Sequence, residues 1–350
     1  MSNLGLVYSD LQAGEGSDSE RLRANPAIPL QRWRVEQFYA DLKTLYDRHG
    51  CKYLIDLGDT TDDRKSLPVP TIGAIMSGLN AIRPDPKLSI KLIGNHEQYL
   101  RDTTLHIGRV FKSKFVVVDK TDVFEAADTL VACAAFPASD AAANDFLSKT
   151  AYQYRNYDRR VVLGHFQVIG CQMNSGLSLL GVSREALNPY SMALLGHVHK
   201  PQVLGRSTYY VGSPFQQNFG EKNEQKRVGV LDLDTLELEW VPLPGFPEYR
   251  VVDFDPWLKM VDEKEEHRYQ VIIRDPKQAE RFYKHPLMGR AEPIYNYELD
   301  ERTKAEVAHQ QSFTREDVMN RWLKQKPPGD YGIQANDQEV LDIGNLMSGS

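Results

Sequence analysis

Cysteine is scarce in this 350-residue chain, which contains only three. Cys51, Cys133 and Cys171 show no metal-binding pair spacing, and three thiols cannot build a disulfide framework. Long apolar runs are missing too, since no stretch approaches the ~18 consecutive apolar residues of a membrane-spanning helix. The first residues also lack the basic and apolar regions of a secretory signal. We therefore expect a cytoplasmic protein with no membrane partner.

Positive charge is not in excess, because 42 Lys and Arg face 48 Asp and Glu, a formal net charge of −6. By itself this balance argues against a nucleic-acid partner, since proteins that bind polyanions usually carry a basic surplus. A Gly-x-x-x-x-Gly-Lys-Ser/Thr loop is also missing from the sequence, so any dependence on ATP must come from another chain.

What the sequence does contain is an alternation of short apolar strands and helical patterns over its first two thirds. Strands are predicted at residues 4–9, 53–57, 88–93, 115–118, 130–134, 160–163, 192–195, 209–211, 228–233 and 236–241, and helices at about 31–48 and 71–82. Early strands separated by helices, followed by closely spaced strands, predict a mixed sheet with helices packed outside it.

A proline cluster at Pro242, Pro244 and Pro247 interrupts this pattern and predicts a domain boundary. The predicted organisation is a main domain over residues 1–245 and a small α+β unit over 246–300. Residues 301–330 show the spacing of amphipathic helices, and residues 331–350 that of a flexible tail.

Polar residues able to bind metal recur where predicted strands end. These corners are Asp10, Gly58-Asp59, Gly94-Asn95-His96, Gly164-His165 and Gly196-His197-Val198-His199. Singly, each has a structural alternative, because Asp often caps a helix or turn and His often packs or lies at the surface. In open α/β sheets, however, ligands bind outside the carboxyl ends of the strands. The corners taken together predict a binuclear metal site.

The ligand types indicate which metal such a site binds and which reaction it supports. Carboxylate, amide and imidazole groups without thiolate suit Mn²⁺, Fe²⁺ or Zn²⁺ better than copper or an iron–sulfur cluster. Two such ions ~3.5–4 Å apart activate water and stabilise both oxygens of a phosphoryl displacement. The predicted chemistry is metal-assisted phosphoester hydrolysis.

The order of the corners resembles the calcineurin-like metallophosphoesterases, whose Asp-x-His, Gly-Asp-x-x-Asp, Gly-Asn-His, Gly-His and Gly-His-x-His pattern covers residues 10–199 here. The resemblance implies an α/β fold, a four-layer sandwich of mixed β-sheets flanked by helices, with a small α+β capping domain and C-terminal helices. It also implies that Asp59 bridges the two ions. The metal ligands that it implies are Asp10, Gln12, Asp59, Asn95, His165, His197 and His199.

Two further residues receive catalytic roles from the same resemblance. His96 is expected beside the scissile phosphate, where it stabilises the transition state or protonates the leaving oxygen. Asp62 is expected to orient His96 or a nearby ligand.

One position departs from the family pattern, because Gln12 stands where the family has its first histidine. A glutamine carbonyl is a weaker, neutral ligand for a hard ion. Either Gln12 is a substitute ligand, or it leaves the position to water. The departure keeps open the alternative of a weakly catalytic protein that binds DNA ends.

Downstream of the metal histidines, the segment from Gly212-Ser213-Pro214 to Phe219-Gly220-Glu221 resembles SbcD-type DNA repair and recombination nucleases of bacteria or phages. This resemblance implies a Mn²⁺-dependent exonuclease or endonuclease that forms a homodimer and works with an SbcC-type ABC ATPase, in the host cytoplasm if the protein is viral. The competing interpretation is another phosphodiesterase or a protein phosphatase, although Asp62-Asp63-Arg64 is not followed by the glycine of the phosphatase motif.

The acidic balance does not oppose a DNA substrate once its distribution is considered, because most of the excess falls in residues 251–350. Two interpretations stay open for other segments. The amphipathic pattern of residues 301–330 fits either a partner ATPase or the chain's own core. Tyr152, Tyr154 and Arg155 open a run of aromatic and basic residues that fits either a DNA groove or a helix surface.

Overall fold

The computed structural model describes residues 3–14, 30–64, 66–100, 105–126, 128–173, 175–259, 267–285, 288 and 291–296. The strands are β1 (Leu4–Tyr8), β2 (Tyr53–Asp56), β3 (Ile90–Leu92), β4 (Val116–Val118), β5 (Thr121–Ala126), β6 (Thr129–Ala134), β7 (Arg159–His165), β8 (Gln172–Met173), β9 (Gly176–Leu177), β10 (Met192–Gly196), β11 (Gln202–Leu204), β12 (Thr208–Tyr210), β13 (Arg227–Asp232), β14 (Leu238–Pro242), β15 (Tyr249–Asp253), β16 (Arg268–Ile273) and β17 (Ala291–Tyr295). The α-helices are α1 (Leu30–His49), α2 (Val69–Ile82), α3 (Asp140–Gln153), α4 (Arg184–Leu187), α5 (Phe254–Lys259) and α6 (Pro276–Tyr283).

Two six-stranded sheets form the body of the molecule, in the orders β14-β13-β1-β2-β3-β4 and β11-β12-β10-β7-β6-β5. In the first sheet β1 to β4 are parallel, and β13 runs antiparallel to both β1 and β14. In the second sheet β12, β10, β7 and β6 are parallel, with β11 and β5 antiparallel at the edges. The prediction of mixed β-sheets is confirmed.

Alternating side chains along the strands build three apolar cores. On the outer face of the first sheet, Leu54 of β2 packs in one core with residues of α1 and α2. Its neighbour Ile55 faces the opposite way, into a core between the sheets that also contains Leu163 of β7. Val162, which precedes Leu163 on β7 and faces the opposite way, packs with Leu147 of α3 in the third core. The layers therefore run helix, sheet, sheet, helix, which confirms the predicted four-layer sandwich.

A third, three-stranded sheet follows the proline cluster in the order β15-β16-β17. Its core contains Trp257, which is fully buried. The Trp257 ring centroid is 6.1 Å from that of Phe254 and 5.1 Å from that of Phe282. These elements lie within the predicted 246–300 unit, whose status as a separate capping domain stays a prediction.

One compact unit consists of the described residues up to 272 and those between 276 and 294, and it contains every side chain of the candidate site. Residues 273–275 and 295–296 belong to a second unit. The predicted helices at 301–330 and the predicted tail at 331–350 lie outside the described residues. In the part of the chain that the structure describes, no helix has the length and apolar character needed to cross a membrane.

Candidate metal centre

The corners singled out in the sequence lie at the carboxyl ends of parallel strands in both sheets. Asp10, Asp59 and Asn95 follow β1, β2 and β3, while His165 ends β7 and His197 follows β10. Because β1, β2 and β3 are adjacent and parallel, their following loops meet at one edge, as the hydrogen bond from the Asp10 amide to the Gly58 carbonyl shows at 3.0 Å. The second sheet stacks against the first so that its corners face the same edge.

Four predicted ligands converge in one cluster. An oxygen of Asp59 and ring nitrogens of His165 and His197 all lie within 4.8 Å of one another. The Asn95 Oδ1 atom is 2.7 Å from His197 Nδ1 and 3.2 Å from His165 Nε2. Asp59 Oδ2 is also 3.2 Å from His165 Nε2. This group offers one carboxylate, one amide oxygen and two imidazoles to a single point.

The remaining predicted ligands lie beside this cluster. The His197 amide donates to both carboxylate oxygens of Asp10, at 3.2 and 3.1 Å, which links the two ligand groups. Gln12 Nε2 is 3.1 Å from His199 Nε2, so Gln12 contacts a predicted ligand directly. Burial raises the pKa of the Asp10 carboxyl, whereas in Asp59 the same effect of burial is outweighed by His165, which lowers the pKa to about 2.

Hydrogen bonds fix the tautomers of two histidines so that one ring nitrogen of each remains for a ligand. His165 Nδ1 donates to the Leu57 carbonyl at 2.7 Å, because a carbonyl can only accept. His199 Nδ1 donates to Glu221 Oε1 at 2.9 Å. In both rings Nε2 is then the nitrogen that faces other predicted ligands, Asp59 and Asn95 for His165 and Gln12 for His199. A ring oriented through Nδ1 in this way is typical of metal-binding histidines.

Glu221 is a site residue to which the sequence analysis gave no role. Its carboxylate is fully buried, and apart from His199 it accepts hydrogen bonds from Ser213 Oγ at 3.2 Å, the Gln217 amide at 3.1 Å and Lys226 Nζ at 2.7 Å. Burial raises the pKa of Glu221, but the hydrogen bond with His199 and the charge of Lys226 lower it to about 2. The Gly-Ser-Pro to Phe-Gly-Glu segment was the signal for this residue.

A second buried network supports the loops after β2 and β3. Glu97 Oε2 accepts hydrogen bonds from the Gly94 amide at 3.1 Å and the Asp59 amide at 3.2 Å. Lys91 Nζ lies 2.8 Å from Glu97 Oε1 and 3.0 Å from Asp56 Oδ2, with all three side chains buried. A lysine inside an apolar strand was the only signal for this network in the sequence, and the network was not predicted from it.

The backbone is strained at four of the predicted ligands. Asp10, Gln12, Asp59 and His197 have φ angles of 53°, 45°, 53° and 80°, in the left-handed region that residues other than glycine rarely adopt. Each such residue costs on the order of 1–3 kcal/mol, and residues of this kind cluster at active sites.

Two glycines of the corner motifs allow the sheets to approach each other. Gly58 has φ +104°, and a Cβ atom there would lie 2.6 Å from His165 Nδ1. A Cβ atom on Gly196 would lie 2.1 Å from Ser9 Oγ and 2.8 Å from the Leu57 carbonyl oxygen. The recurring Gly-Asp and Gly-His pairs therefore reflect close contact between strand ends.

His96 lies at the mouth of the site, with 34% of its side chain exposed. Its Nδ1 atom is 2.9 Å from the Asp62 carbonyl oxygen and 3.2 Å from Asp62 Oδ1, so the structure brings together the two residues assigned catalytic roles. The His96 amide also donates to Asp59 Oδ1 at 2.8 Å. The hydrogen bond to Asp62 raises the pKa of His96 to about 9, against the effect of its partial burial.

The donor set fits a pair of hard or borderline divalent ions. Carboxylate oxygens, an amide oxygen and imidazole nitrogens converge, and the described cysteines are buried elsewhere in the chain. The oriented imidazoles and the strained ligand backbone are further observations that favour such a site.

Comparison with known proteins adds a weak sequence relative. No family model matches the chain. Over 124 residues it is 27% identical to the SbcD component of the nuclease SbcCD of Staphylococcus epidermidis, a match that covers 33% of this chain and 33% of that protein. The match therefore spans about a third of the length of that relative.

The comparison with solved structures gives matches of low sequence identity, of which two are reported. A dimetal phosphatase from Danio rerio matches with a TM-score of 0.46 and 11% identity, over 69% of this chain and 99% of that one. A 5'-nucleotidase precursor from Thermus thermophilus matches with a TM-score of 0.38 and 13% identity, over 69% of this chain and 54% of that one.

Proposed function

We propose that this chain, a calcineurin-like metallophosphoesterase by its motif order, its four-layer fold and its match to an SbcD protein, hydrolyses phosphodiester bonds of DNA. The observation that carries the proposal is the convergence of Asp59, Asn95, His165 and His197 at one sheet edge. The choice of DNA as substrate is supported by the SbcD relative and by the Gly-Ser-Pro to Phe-Gly-Glu segment.

Two divalent ions, which we propose to be Mn²⁺, fit this donor set. Asp59 would bridge them, and the other ligands would be Asp10, Gln12, Asn95, His165, His197 and His199. Bound there, the ions would supply Lewis acidity, activate water and neutralise phosphate charge. His165 and His199 offer Nε2 to them, since the Nδ1 atoms are already engaged by Leu57 and Glu221.

His96 is the residue of this chain that we propose to act on the substrate directly. The Asp62 carbonyl and carboxylate hold Nδ1 of its ring, which keeps the ring at the mouth of the site and favours its protonated form. A protonated imidazole in this position stabilises negative charge on the phosphate and can give a proton to the leaving oxygen. Asp62 is then a positioning residue for His96.

The remaining expectations are part of the same proposal. An SbcC-type ATPase is the proposed partner, supported by the relative's membership of an SbcCD nuclease. Selection of DNA by residues 246–300, partner binding by residues 301–330, a homodimer and a cytoplasmic location stay predictions of the sequence.

Cleavage of linear double-stranded DNA with Mn²⁺, alone and with an SbcC-type ATPase, tests the proposal. We expect His96→Ala to lose DNA cleavage while keeping its metal content, because His96 is not among the proposed ligands. His49→Ala, at the C-terminal end of α1, is the matched control and should cleave like the wild type.

Absence of His96-dependent DNA cleavage, both without and with the SbcC-type ATPase, would refute the proposed nuclease activity. Hydrolysis of a phosphopeptide but not of DNA would favour a protein phosphatase. DNA-end binding without turnover by wild-type protein would favour the weakly catalytic alternative, for which Gln12 in contact with His199 is the relevant feature.

A further inference from the structure

A groove of about 700 Å³ runs between helix α3 and strand β5, the edge strand of the second sheet. We call it the α3–β5 groove. Val123 of β5 forms one wall, Phe146 of α3 forms the other, and the small side chains of Ala134 and Ala142 leave the space between them open. Its volume lies in the range of ~300–1,000 Å³ that is usual for ligand sites.

The groove shares a wall with the metal centre through Phe136, which follows β6. The Phe136 ring centroid is 5.6 Å from that of His197 and 6.3 Å from that of His165. The Phe136 amide donates to the Ile93 carbonyl at 2.9 Å, which holds this loop beside the end of β3. A polymeric phosphodiester substrate with one phosphate at the metal centre can therefore place its next monomer against the Phe136 ring.

Gln98 adds a polar group to the same end of the groove. It lines the groove although only 6% of the residue is exposed, and its Nε2 donates to the Phe136 carbonyl at 3.1 Å. Its Oε1 atom has no hydrogen-bond partner among the described residues. A buried acceptor of this kind is normally satisfied by water or a ligand.

We propose that the α3–β5 groove binds the unpaired bases of a single-stranded nucleic-acid end whose phosphate lies at the metal centre. The proposal rests on the proposed nuclease function and adds the strand's path to it. Aromatic side chains are spaced along the groove from the metal centre outward, at Phe136, Phe146 and Tyr154. Bases stack on such side chains whatever their sequence.

The charges around the groove indicate that stacking, rather than ion pairing, provides most of the binding. The lining carries no net charge, because Lys120 and Lys149 are balanced by Asp119 and Asp145. Lys149 is moreover paired with Asp145 at 2.7 Å. Beyond its outer end, the exposed ring of Tyr152 lies 5.0 Å from the Arg155 guanidinium, which continues the stacking surface. The aromatic and basic run noted in the sequence thus begins where the groove ends.

Two tryptophan substitutions on α3 test the proposal. Ala142 and Ala141 are adjacent and exposed, but only Ala142 lines the groove. Ala142→Trp should lower kcat/KM about tenfold on DNA with single-stranded ends, the loss of roughly one stacked base. It should leave hydrolysis of methyl p-nitrophenyl phosphate, a small diester without a nucleobase, unchanged. Ala141→Trp should leave both activities unchanged.

A binding measurement separates this inference from the nuclease proposal. With metal chelated, labelled oligothymidylate should bind wild type and Ala141→Trp alike and bind Ala142→Trp about tenfold more weakly. If only Ala142→Trp binds oligothymidylate more weakly and the wild type does not cleave DNA, the proposed nuclease activity is refuted and the groove assignment is kept. DNA cleavage by the wild type with equal binding and turnover in both variants would overturn the groove assignment alone.

Phe146→Leu provides a second variant that keeps the apolar volume but removes the aromatic face. It should weaken oligothymidylate binding through loss of the stacking surface, and an unchanged urea midpoint would show that the contacts of Phe146 with the third core are kept. Wild-type binding by Phe146→Leu would overturn the assignment of base stacking to the groove.

Discussion

Replacing Glu221 by glutamine tests whether the buried carboxylate behind His199 controls metal binding. In the structure Oε1 accepts from His199 Nδ1 at 2.9 Å, and Oε2 lies 2.7 Å from Lys226 Nζ. Glutamine has nearly the same shape, but its NH₂ group can only donate. The donors at one of the two oxygen positions therefore lose their acceptor, and His199 loses the negative charge that makes its Nε2 a better ligand.

The expected magnitude follows from the role of such partners in metal sites. Loss of the group that orients a metal-binding histidine typically costs about 10–100-fold in metal affinity. At about 1.4 kcal/mol per factor of ten, this corresponds to roughly 1.4–2.8 kcal/mol of binding free energy. Only the metal position that includes His199 should be affected, because the other cluster is held by Leu57 and Glu97.

Calorimetric titration of metal-free protein with Mn²⁺ measures this directly. Glu224→Gln is the matched control, since Glu224 also lies 2.7 Å from Lys226 Nζ but is paired with the lysine rather than with the histidine. We expect Glu221→Gln to weaken one of two binding steps and Glu224→Gln to leave both near the wild-type values. Wild-type affinity in Glu221→Gln, or an equal loss in both variants, would refute the reasoning.

Two further predictions use other contacts of the same edge. Gln12→His should raise Mn²⁺ affinity at the position that includes His199, because an imidazole replaces a neutral amide beside it; equal or weaker occupancy in the titration would contradict this. Lys91→Met should lower the free energy of unfolding by about 3–5 kcal/mol, because Asp56 and Glu97 stay buried without their shared cation. Urea unfolding measures the loss, the exposed Lys87→Met is the control, and a change below about 1 kcal/mol would count against the network.

The inner elements of the sandwich were predictable because their sequences carry strong periodicity. The helix predicted at 31–48 is α1 (Leu30–His49), and the strand predicted at 53–57 is β2 (Tyr53–Asp56). Neither α3 nor β5 was predicted from the sequence. Helix α3 is rich in alanine and shows little contrast between its faces, and edge strand β5 interrupts its apolar residues with Asp122 and Glu125. The groove between these two elements was therefore invisible in the sequence.

Local sequence was enough to predict the types of ligand and the strand ends that carry them. Each corner combines a glycine with an Asp, Asn or His within a few residues, so its chemistry is visible locally. The resemblance that this order of corners gave to the calcineurin-like metallophosphoesterases agrees with the SbcD relative. The roles of the individual ligands stay proposals until metal is titrated into the protein.

The groups that stand behind the ligands became visible only once the chain was folded. Gln12 and His199 are 187 positions apart, yet their side chains are in contact because the two sheets stack with their carboxyl edges together. Glu221 contacts His199 from the short helix Phe219–Glu221, a segment that the sequence linked to SbcD-type nucleases without giving Glu221 a role. Hydrogen bonds of this kind depend on how sheets and loops pack over long sequence distances, and local periodicity carries no information about that packing.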